Sequence, residues 1–296
     1  MRPKGERFEA FRQLAAASKA HGSLVIGQVS HPGRQVGSSI QKDPVSASDV
    51  QLEGNLMGMT FEIPHPASSE ETERMIEDFT HAAEYLHVAG YDGIELHGAH
   101  GYLLAQFLAK STNKRTDKYG GSLANRSRLI MEIAQRIRTR VPKDSIVGIK
   151  INSGESQKGG FEPEEANQLC ASREENHFDF VELSGGTYEE LAFAHKKDST
   201  KKREAFFLDF AETIVPALSK TKTYVTGGFQ SVGAMVNALN TVDGVGLART
   251  ICQEPRLCAE ILSEKVKGAI KQRLDESNFG LTNVAAGSQI RMIGKV

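Results

Sequence analysis

Six short runs of apolar and β-branched residues, separated by helix-like segments, constrain the fold of this chain most strongly. They cover residues 24–30, 93–99, 146–152, 178–186, 223–229 and 244–249. Each run is nearly continuous in apolar character, which is typical of strands in a parallel sheet covered on both faces. The helix-like segments are 68–90, 122–141, 162–176, 210–220, 231–239 and the stretch after Glu254. This alternation predicts a parallel α/β architecture.

The bulk properties indicate one globular domain with no general affinity for polyanions. The 296 residues are 39% hydrophobic and 25% charged, and no linker, repeat or low-complexity tract divides them. We therefore interpret residues 1–296 as a single domain. The formal charge of -1 predicts no binding to nucleic acid or to anionic membranes. The basic segment 110–126 is interpreted as a loop that ends at two glycines before a capping serine.

The predicted location is cytoplasmic. The first twenty residues are charged and lack the apolar core of a secretory signal, and no stretch approaches the length of a membrane span. The three cysteines, Cys170, Cys252 and Cys258, form no metal-ligand or CxxC pattern. Unpaired packing thiols in a reducing compartment are the simplest interpretation.

Two glycine-containing turns near the end of the chain narrow the choice of fold. The runs VTGGF and GVGLAR each lead into a helix-like segment, and freed backbone N–H groups at such turns suit a phosphate. In (β/α)₈ barrels, the phosphate site commonly follows the seventh and eighth strands. Counting back makes the first run the third strand. The fold class predicted is therefore α/β, a (β/α)₈ TIM barrel that is N-terminally incomplete, with strands three to eight recognisable.

The stretch HGAHGY carries the strongest chemical signal. His97, His100 and Tyr102 follow the run GIEL at the strand end that faces the mouth of a barrel. Imidazole N–H groups can polarise a carbonyl oxygen, and a phenol beside them can donate a proton. One alternative is two loop histidines with a tyrosine that packs against the following helix. Another is a metal site, for which His31 and Glu95 are the best further ligands.

The segment 97–128, HGAHGYLLAQFLAKSTNKRTDKYGGSLANRSR, resembles the signature of the old yellow enzyme family. The stretches GQVSHPGRQ, PVSASDV, KINSGESQKGGF, DFVELSGGTYE, TGGF and DGVGLAR follow in the order of that family. The resemblance covers essentially the whole chain and is nearest to an NADPH dehydrogenase-like branch common in fungi. It implies an FMN-dependent oxidoreductase that uses NAD(P)H to reduce activated alkenes.

The resemblance also implies roles for individual residues. His97 and His100 would hold the carbonyl oxygen of the substrate, and Tyr102 would protonate its α-carbon. Gln28 would hydrogen-bond the flavin pyrimidine, although a strand-end amide facing solvent is the alternative. Lys150 would stabilise negative charge on the reduced flavin, where many relatives carry arginine, rather than merely extend to solvent at the rim. The FMN phosphate would be bound by Gly227, Gly228, Ala248 and Arg249. Relatives usually have glycine in place of Ala248 and often proline in place of Thr250.

Strands one and two of that family precede the helix that begins near Glu6, and this sequence contains nothing that matches them. Six strands do not close a barrel built for eight, and the exposed edges could pair with another chain as an oligomer. An incomplete gene model, a true truncation and rescue by a partner are the three explanations. Retention of His97, His100, Tyr102 and Lys150 favours a recent or artefactual truncation.

Three functional hypotheses follow. The first is an FMN oxidoreductase with ping-pong chemistry on a small-molecule enone or enal, with a cyclic secondary-metabolite intermediate as one substrate candidate. The second is a non-catalytic remnant, or a subunit that requires a partner. The third is a metal-dependent hydrolase built on the histidine pair. The sequence does not distinguish NADPH from NADH.

Overall fold

A computed structural model describes residues 4–55, 58–152, 160–173, 178–185, 208–270 and 279–293. Six of its strands form one parallel sheet, and two very short strands pair separately. The strands are β1 (Ile26–Val29), β2 (Val45–Ser46), β3 (His65–Pro66), β4 (Gly93–Gly98), β5 (Ile146–Asn152), β6 (Phe180–Ser184), β7 (Lys222–Thr226) and β8 (Gly244–Gly246).

The large sheet has the strand order β1-β4-β5-β6-β7-β8, and every neighbouring pair is parallel. These six strands are the predicted barrel strands three to eight, each beside its neighbour in the chain. That sequential parallel order is the arrangement of a (β/α)₈ barrel wall. Within the described residues the wall is open, with β1 and β8 at its two edges.

Helices connect the strands. They are α1 (Glu6–Lys19), α2 (Ser69–Val88), α3 (Leu103–Leu108), α4 (Leu123–Arg126), α5 (Arg128–Arg140), α6 (Pro163–Arg173), α7 (Leu208–Ile214), α8 (Val232–Ala238), α9 (Arg249–Gln253), α10 (Leu257–Leu262) and α11 (Phe279–Ile293). Helix α2 begins with a capping box, in which the Ser68 hydroxyl accepts the Glu71 N–H and the Glu71 carboxylate accepts the Ser68 N–H. The predicted helix after Ser68 therefore begins where its serine indicates.

Two predicted helices are interrupted. The segment predicted as one helix over 122–141 divides at Ser127, whose hydroxyl donates to the Ala124 carbonyl at 3.3 Å and competes with regular helical bonding. The segment 210–220 is helical only to Ile214 and continues as a 3₁₀ turn, Val215–Ala217. Pro216 lies in that turn and has no N–H to offer.

Several predicted strands were too long. The last run, 244–249, ends as a strand at Gly246, because Ala248 has φ -119° and ψ -82° and turns the chain into α9. The first run shortens to Ile26–Val29, and the run 178–186 shortens to Phe180–Ser184. Gly186 and residues 174–176 of the predicted helix 162–176 lie outside the described residues.

The two faces of the sheet have opposite character. The helix-covered face is fully buried and consists of Leu96, Val147, Ile149, Ile151, Val181, Leu183 and Val225. The other face lines a cavity of about 650 Å³, to which Glu95, Lys150, Glu182 and Thr226 contribute polar groups. Two-sided burial was predicted. Among the described residues, the helix-covered face is apolar and buried throughout, whereas the second face is polar and mixed: Glu95 and His97 are buried, and Lys150 and Glu182 are half-buried beside the cavity.

Candidate active site

The loop between β4 and α3 brings the two histidines and the tyrosine to one place. His97 is the last residue but one of β4, and Tyr102 is the N-cap residue of α3. Between them, His100 has φ 57° and Gly101 has φ 73°. A left-handed conformation at a residue other than glycine stores strain of about 1 kcal/mol or more, and such strain concentrates at functional sites.

The His97 ring contacts the rings of both His100 and Tyr102. His97 Nε2 lies 3.3 Å from His100 Nδ1, and the two imidazole planes are 84° apart. The ring centroids of His97 and Tyr102 are 4.9 Å apart. A carbonyl oxygen near the paired nitrogens would therefore meet both imidazoles, with a phenol close by.

Both imidazoles are neutral at physiological pH. Burial, reinforced by the Lys150 ammonium, lowers the pKa of His97 to about 4. Burial also lowers the pKa of His100 to about 3, with further contributions from His97 and Lys150. A neutral imidazole has one N–H donor and one acceptor nitrogen, so the tautomer of each ring decides what it can bind.

The sheet register places Lys150 beside His97. The Cα atoms of His97, Lys150 and Glu182 are successive partners across β4, β5 and β6, so the three side chains project from the same face. Lys150 Nζ donates to Glu182 Oε1 at 2.7 Å. The ammonium is thus paired within the sheet and also faces the side that carries the imidazoles.

Gln28 projects from the same face. It is the register partner of Glu95, and its Nε2 donates to Glu95 Oε2 at 2.6 Å. This bond uses one of the two amide N–H groups, so the side-chain carbonyl and the second N–H of Gln28 are left to meet a ligand. The structure therefore brings Gln28, Lys150 and the histidine pair to one surface of the sheet.

The carboxylate Glu182 was not predicted as part of this site, and Glu95 was considered only as a possible metal ligand beside the histidine pair. Burial, reinforced by the Glu182 carboxylate, raises the pKa of Glu95 to about 8. Although burial opposes it, the Lys150 ammonium lowers the pKa of Glu182. One carboxyl is therefore protonated and the other ionised at neutral pH. The signal available in the sequence was Lys150 itself, because a charge within a strand requires a partner.

A second cavity, of about 100 Å³, lies at the ends of β7 and β8. It is lined by Thr226, Gly227, Gly228, Phe229, Gln230, Gly246, Leu247, Ala248, Arg249 and Thr250. The four residues predicted to bind phosphate are among them. Gly227 has φ 156° and Gly228 has φ 72°, and the second value favours glycine. Helices α8 and α9 have only seven and five residues, so glycine backbone and Arg249 are the groups suited to an anion here.

Three further polar residues hold His100 and were missed from the sequence. Gln35 Nε2 donates to the His100 carbonyl at 3.0 Å, and the His100 N–H donates to Asn152 Oδ1 at 3.1 Å. Ser184 Oγ lies 3.0 Å from His100 Nε2. They come from the loop after β1 and from the ends of β5 and β6, and no local sequence pattern links them to HGAHGY.

Across the part of the chain that the structure describes, no three His, Cys, Asp or Glu side chains are grouped so that they could hold a metal ion. No helix among the described ranges has both the length and the hydropathy needed to cross a membrane.

The parallel strand order and the polar groups at the carboxyl ends of the strands define a (β/α)₈-barrel protein. A model of the NADH:flavin oxidoreductase / NADH oxidase family matches residues 4–267. The chain belongs to this family. The family-level resemblance read from the sequence is therefore confirmed.

A curated relative of similar sequence is consistent with this family. The chain is 55% identical over 292 residues to the NADH-dependent flavin oxidoreductase nadA of Aspergillus parasiticus, with 98% of this chain and 66% of that relative covered. It thus spans slightly less than two thirds of the relative's length.

Two solved structures are similar. A 2-naphthoyl-CoA reductase in complex with 2-naphthoyl-CoA has 25% identity and a TM-score of 0.78, covering 89% of this chain and 41% of that one. An old yellow enzyme homologue from Zymomonas mobilis has a TM-score of 0.71 and covers 90% of this chain and 74% of that one. At 22% identity, the second similarity concerns the fold alone.

Proposed function

We propose that the chain is an FMN-dependent oxidoreductase that uses NADH to reduce the activated C=C bond of an α,β-unsaturated carbonyl compound. The observation that carries the proposal is the convergence of His97, His100 and Tyr102 on the sheet face that also presents Lys150 and Gln28. NADH is chosen because it is the reductant named for the Aspergillus relative. A cytoplasmic location remains a prediction from the sequence.

The chain fits the phosphate end of FMN. The cavity of about 100 Å³ combines a glycine turn with the cationic Arg249, which is the pairing that phosphate oxygens require. Thr250 Oγ1 lines this region, is buried and has no hydrogen-bond partner among the described residues. A polar atom in that state supports a ligand at this position. Gly227, Gly228, Ala248 and Arg249 would hold the phosphate.

The residues of the sheet face also suit the flavin ring of FMN. Gln28 offers its side-chain carbonyl to a ring N–H, and the Lys150 ammonium would stabilise negative charge on the reduced ring. When bound, FMN would supply hydride transfer from NADH to the β-carbon of the alkene. The paired Glu182 fixes the position of the Lys150 ammonium through the 2.7 Å contact.

The residues of the β4–α3 loop would act on the substrate. Neutral N–H donors from His97 and His100 polarise the carbonyl and make the β-carbon electrophilic. The Tyr102 hydroxyl then donates a proton to the α-carbon. Because the pKa values of both imidazoles are lowered, these donors need no added proton at neutral pH.

Reconstitution of the purified chain tests the proposal. We expect bound FMN to be reduced by NADH without oxygen and reoxidised by cyclohex-2-enone, but not by cyclohexanone. His97→Ala and His100→Ala should each lower the rate of reoxidation by about 10²-fold or more, with reduction by NADH unchanged. A chain that is folded but does not bind FMN at any concentration would contradict the proposal.

A second candidate is a protein of this fold that acts only with a partner. It is favoured by the positions of β1 and β8, which lie at the edges of the sheet within the described ranges. Sedimentation of the FMN-loaded chain separates the two ideas, since an active monomer excludes a required partner. Activity that is restricted to an oligomer would support the second candidate.

A further inference from the structure

The His100 ring is fixed from several directions. Its backbone carbonyl and N–H are bound by the side chains of Gln35 and Asn152, and Gly101 after it is also left-handed. Its Nε2 faces Ser184 Oγ at 3.0 Å, while its Nδ1 faces His97 Nε2 at 3.3 Å. The backbone is therefore held on both sides, and both ring nitrogens have a polar neighbour, so these contacts favour a change of proton position over a movement of the ring.

In the ligand-free chain, the available hydrogen-bond donors and acceptors favour one tautomer for each of the two imidazoles. His97 Nδ1 is buried and has no partner among the described residues. A buried N–H without an acceptor is rarer than a buried acceptor without a donor, so the proton of His97 belongs on Nε2. His97 Nε2 then donates to His100 Nδ1, and His100 Nε2 donates to the Ser184 hydroxyl oxygen.

A bound carbonyl oxygen requires the other tautomer of His100. The proposed function, on which this inference rests, needs N–H donors on both nitrogens of the 3.3 Å pair. The proton of His100 must then be on Nδ1, and its Nε2 must accept a hydrogen bond. A hydroxyl group can serve both tautomers, because it donates or accepts according to its rotation.

We propose that Ser184 is a positioning residue that sets the tautomer of His100 and reverses it when a carbonyl oxygen binds between His97 and His100. In the ligand-free chain the hydroxyl accepts from Nε2, and in the complex it donates to Nε2. The change conserves charge: water removes a proton from Nε2 and returns one to Nδ1, while the Ser184 hydroxyl keeps its own proton and only rotates. Ser184 does not touch the substrate in this scheme.

Long-range ¹H–¹⁵N correlation spectra of the imidazoles test the proposal directly, since the two nitrogens of a neutral histidine have different shifts in each tautomer. The resonances of His100 are assigned by their loss in His100→Asn. In the ligand-free chain we expect the proton on Nε2. Ser184→Ala should move it to Nδ1 or produce averaged shifts, and Ser184→Thr should restore the wild-type spectrum.

A matched control is available. Ser145 Oγ lies 3.3 Å from His87 Nδ1, which is another serine–histidine contact outside the site. Ser145→Ala should perturb the His87 resonances and leave those of His100 unchanged. If Ser184→Ala also leaves the His100 nitrogens unchanged, Ser184 does not set the tautomer.

The second arm adds cyclohex-2-enone to the oxidised, FMN-loaded chain, with binding monitored by the flavin spectrum. We expect the His100 proton to move to Nδ1 in the wild type and in Ser184→Thr. Ser184→Ala should lower kcat for enone reduction by about 10-fold with little change in the rate of reduction by NADH. A bound enone that leaves the proton on Nε2 would overturn the proposal.

The two arms keep this inference separate from the proposed function. Failure to bind FMN or the enone refutes the function, while the ligand-free spectra still decide whether Ser184 controls His100. Conversely, a working reductase with an unaltered His100 spectrum in Ser184→Ala retains the function and removes the inference.

Discussion

Replacement of Glu95 by glutamine should make the chain more stable at alkaline pH. Glu95 is buried, and burial together with the Glu182 carboxylate raises its pKa from an ordinary value of 4.5 to about 8. Between these two values the folded chain holds one more proton than the unfolded chain. The free energy of unfolding therefore falls as the pH rises through this window.

The pKa shift of Glu95 sets the size of the change in the free energy of unfolding. One pKa unit corresponds to about 1.4 kcal/mol, so a carboxyl shifted this far changes the free energy of unfolding by roughly 2 to 4 kcal/mol between about pH 5 and about pH 8. Glu182 does not contribute in this window: its pKa is lowered, so its stabilisation is lost only as the pH falls below its ordinary value. Glutamine has the shape of the protonated acid and does not ionise.

Urea denaturation at a series of pH values measures the difference. We expect Glu95→Gln to match the wild type near pH 5 and to exceed its stability increasingly toward pH 8 and above. Glu62, a carboxylate outside the large sheet that pairs with Lys42 at 3.1 Å, provides a matched control for the exchange of a carboxylate for an amide, Glu62→Gln. Parallel pH profiles for the wild type and Glu95→Gln would refute the reasoning.

Three further predictions concern the site and the core. Tyr102→Phe should lower the rate of enone reduction by about 10² to 10⁴-fold while flavin reduction by NADH continues, as measured by stopped-flow absorbance. Arg249→Met should weaken FMN binding by about 10-fold or more in a fluorescence titration and leave riboflavin binding unchanged, because only FMN has the phosphate. Arg126 is 1% exposed and its guanidinium pairs with Glu165. Because Lys110 Nζ also lies 2.8 Å from Glu165 Oε1 and would keep that carboxylate paired, Arg126→Met should cost about 2 to 4 kcal/mol in urea denaturation, whereas a loss below about 1 kcal/mol would contradict a buried ion pair.

The strands and their order were predictable because their signal is local. Val147, Ile149 and Ile151 alternate with residues that face the other side of β5, and such short apolar runs between capped helices indicate a parallel sheet whatever their distant neighbours are. The ends of the elements were predicted less well. Ala248 continues the apolar pattern of the strand, but its backbone turns the chain into the next helix. Alanine carries no turn signal, so the sequence did not show where the strand ends.

From residue pattern alone, the candidate site was predictable only where its members are close in sequence, and Gln28, Lys150 and Arg249 were added only through the family resemblance. His97, His100 and Tyr102 lie within six residues, so one strand end and one loop bring them together. Ser184 and Asn152 contact His100 across 84 and 52 positions of the chain. Each is a common polar residue at a strand end, and only the register of β5 and β6 beside β4 gives it a partner.

The sequence by itself determined the alternation of strands and helices and the family, and it singled out His97, His100 and Tyr102 as candidates, because these depend on residue type and short spacing. Tertiary structure alone decided which carboxyl keeps its proton and which hydroxyl faces His100. The pKa of Glu95 and the contacts of Ser184 depend on burial and on charges brought together across strands. Those quantities exist only once the strands are paired.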